Sequence, residues 1–316
     1  MFIEQAYRAK HEFWRYLIGS LIIIGFSFIG QLPLTVVLLL KGDILGGGGG
    51  SMHSLLESSN LSTNMFTFLI LLSFVFALVG IYLVVRFFHK QLLKAIITTR
   101  RKIDWKRLLL SFGIVAAYII ATTAYDYYAH PDHYRVNFEL VPFAILFVIA
   151  VIMVPIQTSV EELVFRGYLM QGFGMLAKNR WFPLLMTSLI FGSLHFFNPE
   201  VDQFGNMIMF YYIGTGLFLG ILSLMDEGLE LSLGFHAANN LTTVLLVTAN
   251  WTAFQAESVL KDITDPKQAG WDIFVPMLVI YPILLLIFSR VYHWKNWKTK
   301  LLGPIDPPLD NIENAA

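Results

Sequence analysis

The stretch LVPFAILFVIAVIMVPIQTSVEELVFR, residues 140–166, decides the fold. It runs for 21 residues without an ionisable side chain, then meets Glu161, Glu162 and Arg166. A bilayer hydrocarbon core about 30 Å thick is crossed by roughly 20 apolar residues of α-helix. Working outward, comparable stretches occupy 16–40, 65–88, 108–125, 140–162, 182–198, 207–225, 230–249 and 271–291. In lipid each backbone polar group must be satisfied internally, so these stretches are expected to be helices. A β-barrel would instead show alternating segments of about ten residues. The expected fold is therefore all-α, a polytopic membrane protein with about eight transmembrane helices.

Composition agrees. Of 316 residues, 56% are hydrophobic and 14% charged, with a mean hydropathy of +0.63; an average soluble domain carries about 25% charged residues. Lys and Arg total 22 against 22 Asp and Glu, which excludes a basic nucleic-acid binder and an acidic tail protein. The absence of cysteine excludes a disulfide scaffold, a thiolate metal site and a cysteine nucleophile. The first span is too long for a cleaved signal peptide and lacks a small-residue cleavage site, so it reads as an anchor.

With the N-terminus in the cytoplasm, 18 of the 22 Lys and Arg, Arg166 among them, fall on the cytoplasmic side, and Lys41, Arg135, Lys261 and Lys267 on the other. By the positive-inside rule both termini are cytoplasmic, and a plasma membrane is the expected location. All seven tryptophans lie near span ends, as an interfacial belt requires. The basic run at 100–107 is expected to set topology and touch anionic headgroups; the alternative, a nucleic-acid patch, would need more charge on a soluble domain. Five glycines at 46–50 followed by Ser51 read as a flexible linker, either a natural loop or an engineered insertion, inside a Gly-rich loop, 41–64; residues 303–316 read as a disordered tail. No repeat of 20–50 residues is present.

Ionisable groups within spans cost at least about 2.5–3.5 kcal/mol each and are functional candidates by default. Glu162 and Arg166 are four apart, on one helical face, and can pair. Glu161 is rotated by about 100° and is expected to point into the bundle, free and poised as a general base; a plain helix-end salt bridge is the alternative. His236 and Asn240, also four apart, present two donors that suit an oxyanion; interhelical hydrogen bonding is the alternative. His195 follows Phe191 by four, beside the small Gly192 and Ser193, and is either a site residue or a packing histidine.

Taken in order on separate helices, Glu161-Glu162-x-x-x-Arg166, Phe191-x-x-x-His195 and His236-x-x-x-Asn240 resemble the CPBP family of intramembrane proteases. This family is also called the Abi or CAAX-protease family and includes the Rce1-type CAAX prenyl endopeptidases. The resemblance covers roughly 140–250 and makes that region the catalytic core, with helices one to three in 1–139 and the last helix and tail in 251–316. It implies hydrolysis of a peptide bond in a membrane-associated peptide or protein, prenylated in the case of CAAX-type enzymes, within a polar cavity open to the cytoplasm. It implies that Glu161 and His195 activate water, that His236 and Asn240 stabilise the oxyanion, and that Glu162 and Arg166 support the site.

No metal is expected, because no His-Glu-x-x-His pair is present and a glutamate–histidine mechanism also accounts for Asn240 and Arg166. The alternative is a zinc ion held by one carboxylate and two imidazoles. Competing readings of the whole chain are an ion-coupled transporter and a non-catalytic immunity or scaffold protein. One geometric tension remains at the sequence level. Glu161 lies near the cytoplasmic end of span four, whereas His195 lies about 20 Å along span five from the same side.

Overall fold

The computed structural model describes residues 1–40 and 52–307. The linker at 46–51 and Lys41 lie outside the described residues, as does the tail from 308 onward. A short N-terminal turn, Ile3–Arg8, precedes α1, Phe13–Leu40. Within the loop expected at 41–64, Met52–Ser59 forms helix α2. Ser62 then caps α3, Thr63–Leu83, its hydroxyl accepting from the Met65 amide at 3.3 Å. Asp104 does the same for α4, Trp105–Ala129, accepting from Lys106 and Arg107.

The fourth span departs from expectation. Helix α5, Leu140–Glu162, continues through a π-helical stretch, Leu163–Leu169, into α6, Met170–Ala177. The result is one apolar helix of 38 residues, not one ending at 162. The charges at 161, 162 and 166 imitate a span end, yet Glu162 and Arg166 are fully buried. The helix stops only where Lys178 adopts a left-handed conformation (φ 56°). Arg166 is thus an interior residue and not, as its position suggests, a loop cation that sets topology.

Helix α7, Trp181–Leu194, is followed by the short α8, Pro199–Phe204, then α9, Ile208–Asp226, and α10, Glu230–Leu246. The last span is π-helical over Pro276–Ile280 and continues as α11, Tyr281–Val291; α12, Trp297–Leu302, lies beyond it. Eight helical stretches therefore occupy the eight expected positions, and the protein is an all-α polytopic membrane protein. Five of the stretches are long and apolar enough to cross a bilayer, while α7 and Pro276–Val291 are shorter apolar helices. Helix α10 is also short, and most of its residues from Glu230 to Ala238 are buried.

Helix α10 packs between α4 and α5; α3 lies between α1 and α5, and α7 against α9. A methyl group on Gly234 of α10 would stand 2.2 Å from the Leu108 carbonyl oxygen of α4. Only glycine permits that approach, in the manner of small-residue contacts between membrane helices.

The two ends of the bundle differ. At one, the N-terminal turn, the 93–104 segment, the α9–α10 turn and the chain after α11 form a polar cap. Arg180 pairs with Glu4, and its amide donates to the Gly303 carbonyl. Arg100 pairs with Asp226 and Glu230, both at 2.9 Å, and Lys300 with Glu227 at 3.3 Å. Residues 303–307, read as the start of a disordered tail, return to this cap, and Ile305 is buried. At the other end, β1 (Tyr134–Val136), β2 (Val247–Thr248) and β3 (Leu260–Asp262) form a small sheet in the order β1-β3-β2. Strands so short leave no readable alternation in the sequence.

Candidate active site

Two helices build the core of the site. On α5, Gln157, Glu161 and Glu162 face α10; on α10, His236 and Asn240 face back. Glu162 Oε1 accepts from Arg166 Nη1 at 2.9 Å and from His236 Nδ1 at 2.8 Å. Arg166 also donates to the Gly216 carbonyl of α9 at 3.3 Å and lies over the Phe191 ring, 4.2 Å from its centroid. The pairing at spacing four expected for Glu162 and Arg166 is present.

Glu161 is not free. Its Oε1 accepts from Gln157 Nε2, and its Oε2 lies 3.5 Å from His236 Nε2. The imidazole of His236 thus stands between the two carboxylates, with Nδ1 toward one and Nε2 toward the other. Gln157 Oε1 in turn accepts from Asn240 Nδ2 at 3.1 Å, and Asn240 Oδ1 accepts from Asn239 Nδ2 at 3.1 Å. One hydrogen-bonded run therefore connects Glu161 through Gln157 to Asn240. Gln157 is uncharged and does not stand out in the sequence. It stands four residues before Glu161, so the spacing rule that pairs Glu162 with Arg166 finds it.

His195 follows the last residue of α7. Its Nδ1 donates to the Phe191 carbonyl at 2.8 Å, so in the neutral imidazole Nε2 carries the free lone pair. Its ring stacks on Tyr212 of α9, with centroids 4.4 Å apart and planes at 25°. Among the described residues no hydrogen bond joins His195 to Glu161. The Phe191 ring lies beside His195, His236 and Arg166, with centroids 4.8 Å from His195 and 6.1 Å from His236. Tyr212 has no signature in the sequence that would have marked it.

The depth tension disappears with the longer helix. Glu161 lies 16 residues before Ala177, and His195 lies 15 after Arg180, so both sit roughly 23 Å from the α6–α7 turn. Along α10, His236 is six residues, about 9 Å, below Glu230 in the polar cap. The site is therefore sunk within the bundle.

Glu161, His195 and His236 form the ligand set that a zinc ion would use. Among the described residues, the one group of three such side chains with ligand atoms within 4.8 Å of each other is Asp126, His130 and His133. The ligand atoms of Glu161, His195 and His236 are not drawn that close together, and His236 presents Nε2 to Glu161 while its Nδ1 is held by Glu162.

Residues 140–242 match the family described as Rce1-like, type II CAAX prenyl endopeptidase. Over 294 residues the chain is 31% identical to the uncharacterized protein YyaK of Bacillus subtilis (strain 168), covering 92% of this chain and 95% of that protein. The chain belongs to the Rce1-like family. The matched stretch contains Gln157 and all seven residues of the three sequence motifs. The similarity to YyaK extends well beyond it, taking in most of the helices that enclose the site. No solved structure matches the chain.

An apolar cavity of about 370 Å³ lies between α4, α9, α10 and Pro276–Val291. Ile119, Tyr118, Phe235 and Tyr281 line it, and Asn239 reaches its wall. Through Asn239 the cavity touches the hydrogen-bonded run that ends on Glu161.

Proposed function

We propose that this Rce1-like protein is an intramembrane endopeptidase of the glutamic type, acting without a metal ion on a membrane-associated, CAAX-like substrate. The observation that carries the proposal is the connected run Glu161–Gln157–Asn240. It places a carboxylate base and a carboxamide donor at a fixed separation inside the bundle. In the mechanism, water sits between Glu161 and the free Nε2 of His195. Glu161 takes its proton as the oxygen attacks the scissile carbonyl. The developing oxyanion receives hydrogen bonds from His236 Nε2–H and from the second N–H of the Asn240 carboxamide, whose first is held by Gln157. The proton on Glu161 then passes to the leaving amine. In this role both ring nitrogens of His236 donate, Nδ1 to Glu162 and Nε2 to the oxyanion. Glu162 and Arg166 fix the ring by holding its Nδ1.

The cavity beside Asn239 is the natural place for the lipid chain of a substrate. The polar cap faces the cytoplasm of a plasma membrane, with both termini on that side, because nearly all the cations assigned to the inner face gather there. The test is cleavage of a prenylated CAAX peptide by purified protein, read by mass spectrometry. Glu161→Gln, His195→Ala and His236→Ala are expected to fold and insert but to release no product. Wild-type turnover by Glu161→Gln would overturn the mechanism. Zinc that is required for activity and whose binding is lost in Glu161→Gln or His236→Ala would overturn its metal-free form.

A further inference from the structure

At the sheet end, far from the catalytic cluster, α4 delivers Asp126 and ends at Ala129; His130 follows, and a tight turn, Pro131–His133, brings back a second imidazole. His130 Nδ1 lies 3.0 Å from Asp126 Oδ1. The rings of His130 and His133 are nearly parallel, at 14° and 4.8 Å between centroids. One ligand atom from each of the three residues lies within 4.8 Å of the others. Metal–ligand bonds of about 2.0–2.2 Å in a tetrahedral site put ligand atoms roughly 3.3–3.5 Å apart, so closure requires only small rotations of half-exposed side chains.

The surroundings hold this triad in place. The Tyr134 hydroxyl donates to the other oxygen of Asp126, the kind of outer contact that orients a ligating carboxylate. The backbone of His133 is pinned on both sides: its amide donates to the His130 carbonyl and its carbonyl accepts from the Ile263 amide, both at 3.0 Å. Two imidazoles and one carboxylate, with the fourth position open to solvent, suit a borderline metal of the zinc class and not calcium or magnesium. We propose that Asp126, His130 and His133 form a binding site for a zinc-class divalent cation.

The site has a structural consequence. Tyr134 begins β1, which pairs with β3, which pairs with β2, the strand that directly continues α10. An ion bound to Asp126 and His133 therefore clamps the end of α4 to the end of the helix that carries His236 and Asn240. Helices α4 and α10 pack along their length, so this clamp closes the far end of that pair.

The test uses full-length protein purified without a polyhistidine tag. Cobalt is titrated in and read by visible absorption, and zinc is followed by thermal melting. The expected result is one saturable cobalt per chain, displaced by zinc, with a raised melting temperature. His130→Ala and His133→Ala, both at exposed or half-exposed positions, are expected to keep the helical circular dichroism while losing the absorption band and the thermal shift. His236→Ala is expected to retain both. No saturable band in the wild type, or a band surviving both His130→Ala and His133→Ala, overturns the proposal. A band lost only in His236→Ala also overturns it, because the ion would then sit in the catalytic cluster.

Discussion

Substituting Gln157 with leucine tests the site without touching a group that reacts with substrate. The side chain is 4% exposed, and leucine fills a similar volume, so the bundle tolerates the change. What is lost is the bond to the Glu161 carboxylate and the acceptor for Asn240. A hydrogen bond to a charged group is worth about 1.5–3 kcal/mol. At 1.36 kcal/mol per factor of ten, its loss from the transition state lowers turnover by roughly 10- to 150-fold. On the proposed mechanism Gln157 positions the base and the oxyanion donor, so the fall is expected in kcat with KM nearly unchanged. The assay is steady-state cleavage of a prenylated peptide in detergent micelles, with melting temperature as the folding control. Gln157→Glu sharpens the test. Its carboxylate faces that of Glu161, so activity is nearly abolished at neutral pH. It partly returns in acid, where the protonated acid again offers one donor and one acceptor. Wild-type kcat in Gln157→Leu, or an effect confined to KM, would show that the run of amides does not organise catalysis.

Three further outcomes follow from the same structure. Arg166→Met leaves Glu162 buried and short of a cation, and is expected to cost about 3–5 kcal/mol in thermal or denaturant unfolding. The double variant Glu162→Gln/Arg166→Met is expected to recover part of that loss; a double variant less stable than the single would contradict the pairing. Ile119→Trp, which fills the apolar cavity, is expected to raise KM for a prenylated peptide several-fold while leaving that for the unprenylated peptide unchanged. Equal effects on both would remove the cavity from substrate binding. Just outside α3, His89 is buried, its Nδ1 donating to the Lys10 carbonyl at 2.6 Å and its Nε2 facing the Tyr168 hydroxyl at 3.0 Å. Burial holds this imidazole below its ordinary value. Its stabilising contribution is therefore complete above about pH 6.5, the ordinary value retained on unfolding, and falls as pH drops, because the unfolded chain takes a proton that the folded one refuses. Melting temperatures at pH 7.5 and 5.5 are expected to differ more for the wild type than for His89→Asn.

Sequence spacing exposes the site more fully than the fold around it. The i,i+4 rule pairs Glu162 with Arg166 and sets His236 and Asn240 on one face, since a helix keeps such residues adjacent whatever surrounds it. The same rule reaches Gln157, but an uncharged amide in an apolar run does not stand out when ionisable groups are the search criterion. Hydropathy fails at residue 162 for a related reason. A buried ion pair in mid-helix and a charged helix end look alike in one dimension, and only the partner on another helix, His236, separates them. His195 depends on tertiary contacts throughout. Its ring is placed by a carbonyl of its own helix and by Tyr212 from α9, and no local pattern announces the second contact.

The π-helical stretch after Glu162 gives the long helix two separate tasks. A π turn holds more residues per turn than an α turn, so the face presented above it is not continued below. Above, Gln157, Glu161 and Glu162 address His236 and Asn240 of α10. Below, Gly167 packs so closely on the Ile96 carbonyl that an added methyl group would stand 2.6 Å away, and Tyr168 turns to His89 and α1. An uninterrupted α-helix would keep one register throughout and could satisfy one set of neighbours at the expense of the other. The interruption therefore lets the site be set by α10 while the same helix is anchored in the polar cap. On this view Arg166, lying within the π turn and bonded to both Glu162 and the Gly216 carbonyl, is the joint between the two registers. Its burial follows from that position, since a joint between two packed faces has no side left for solvent or lipid.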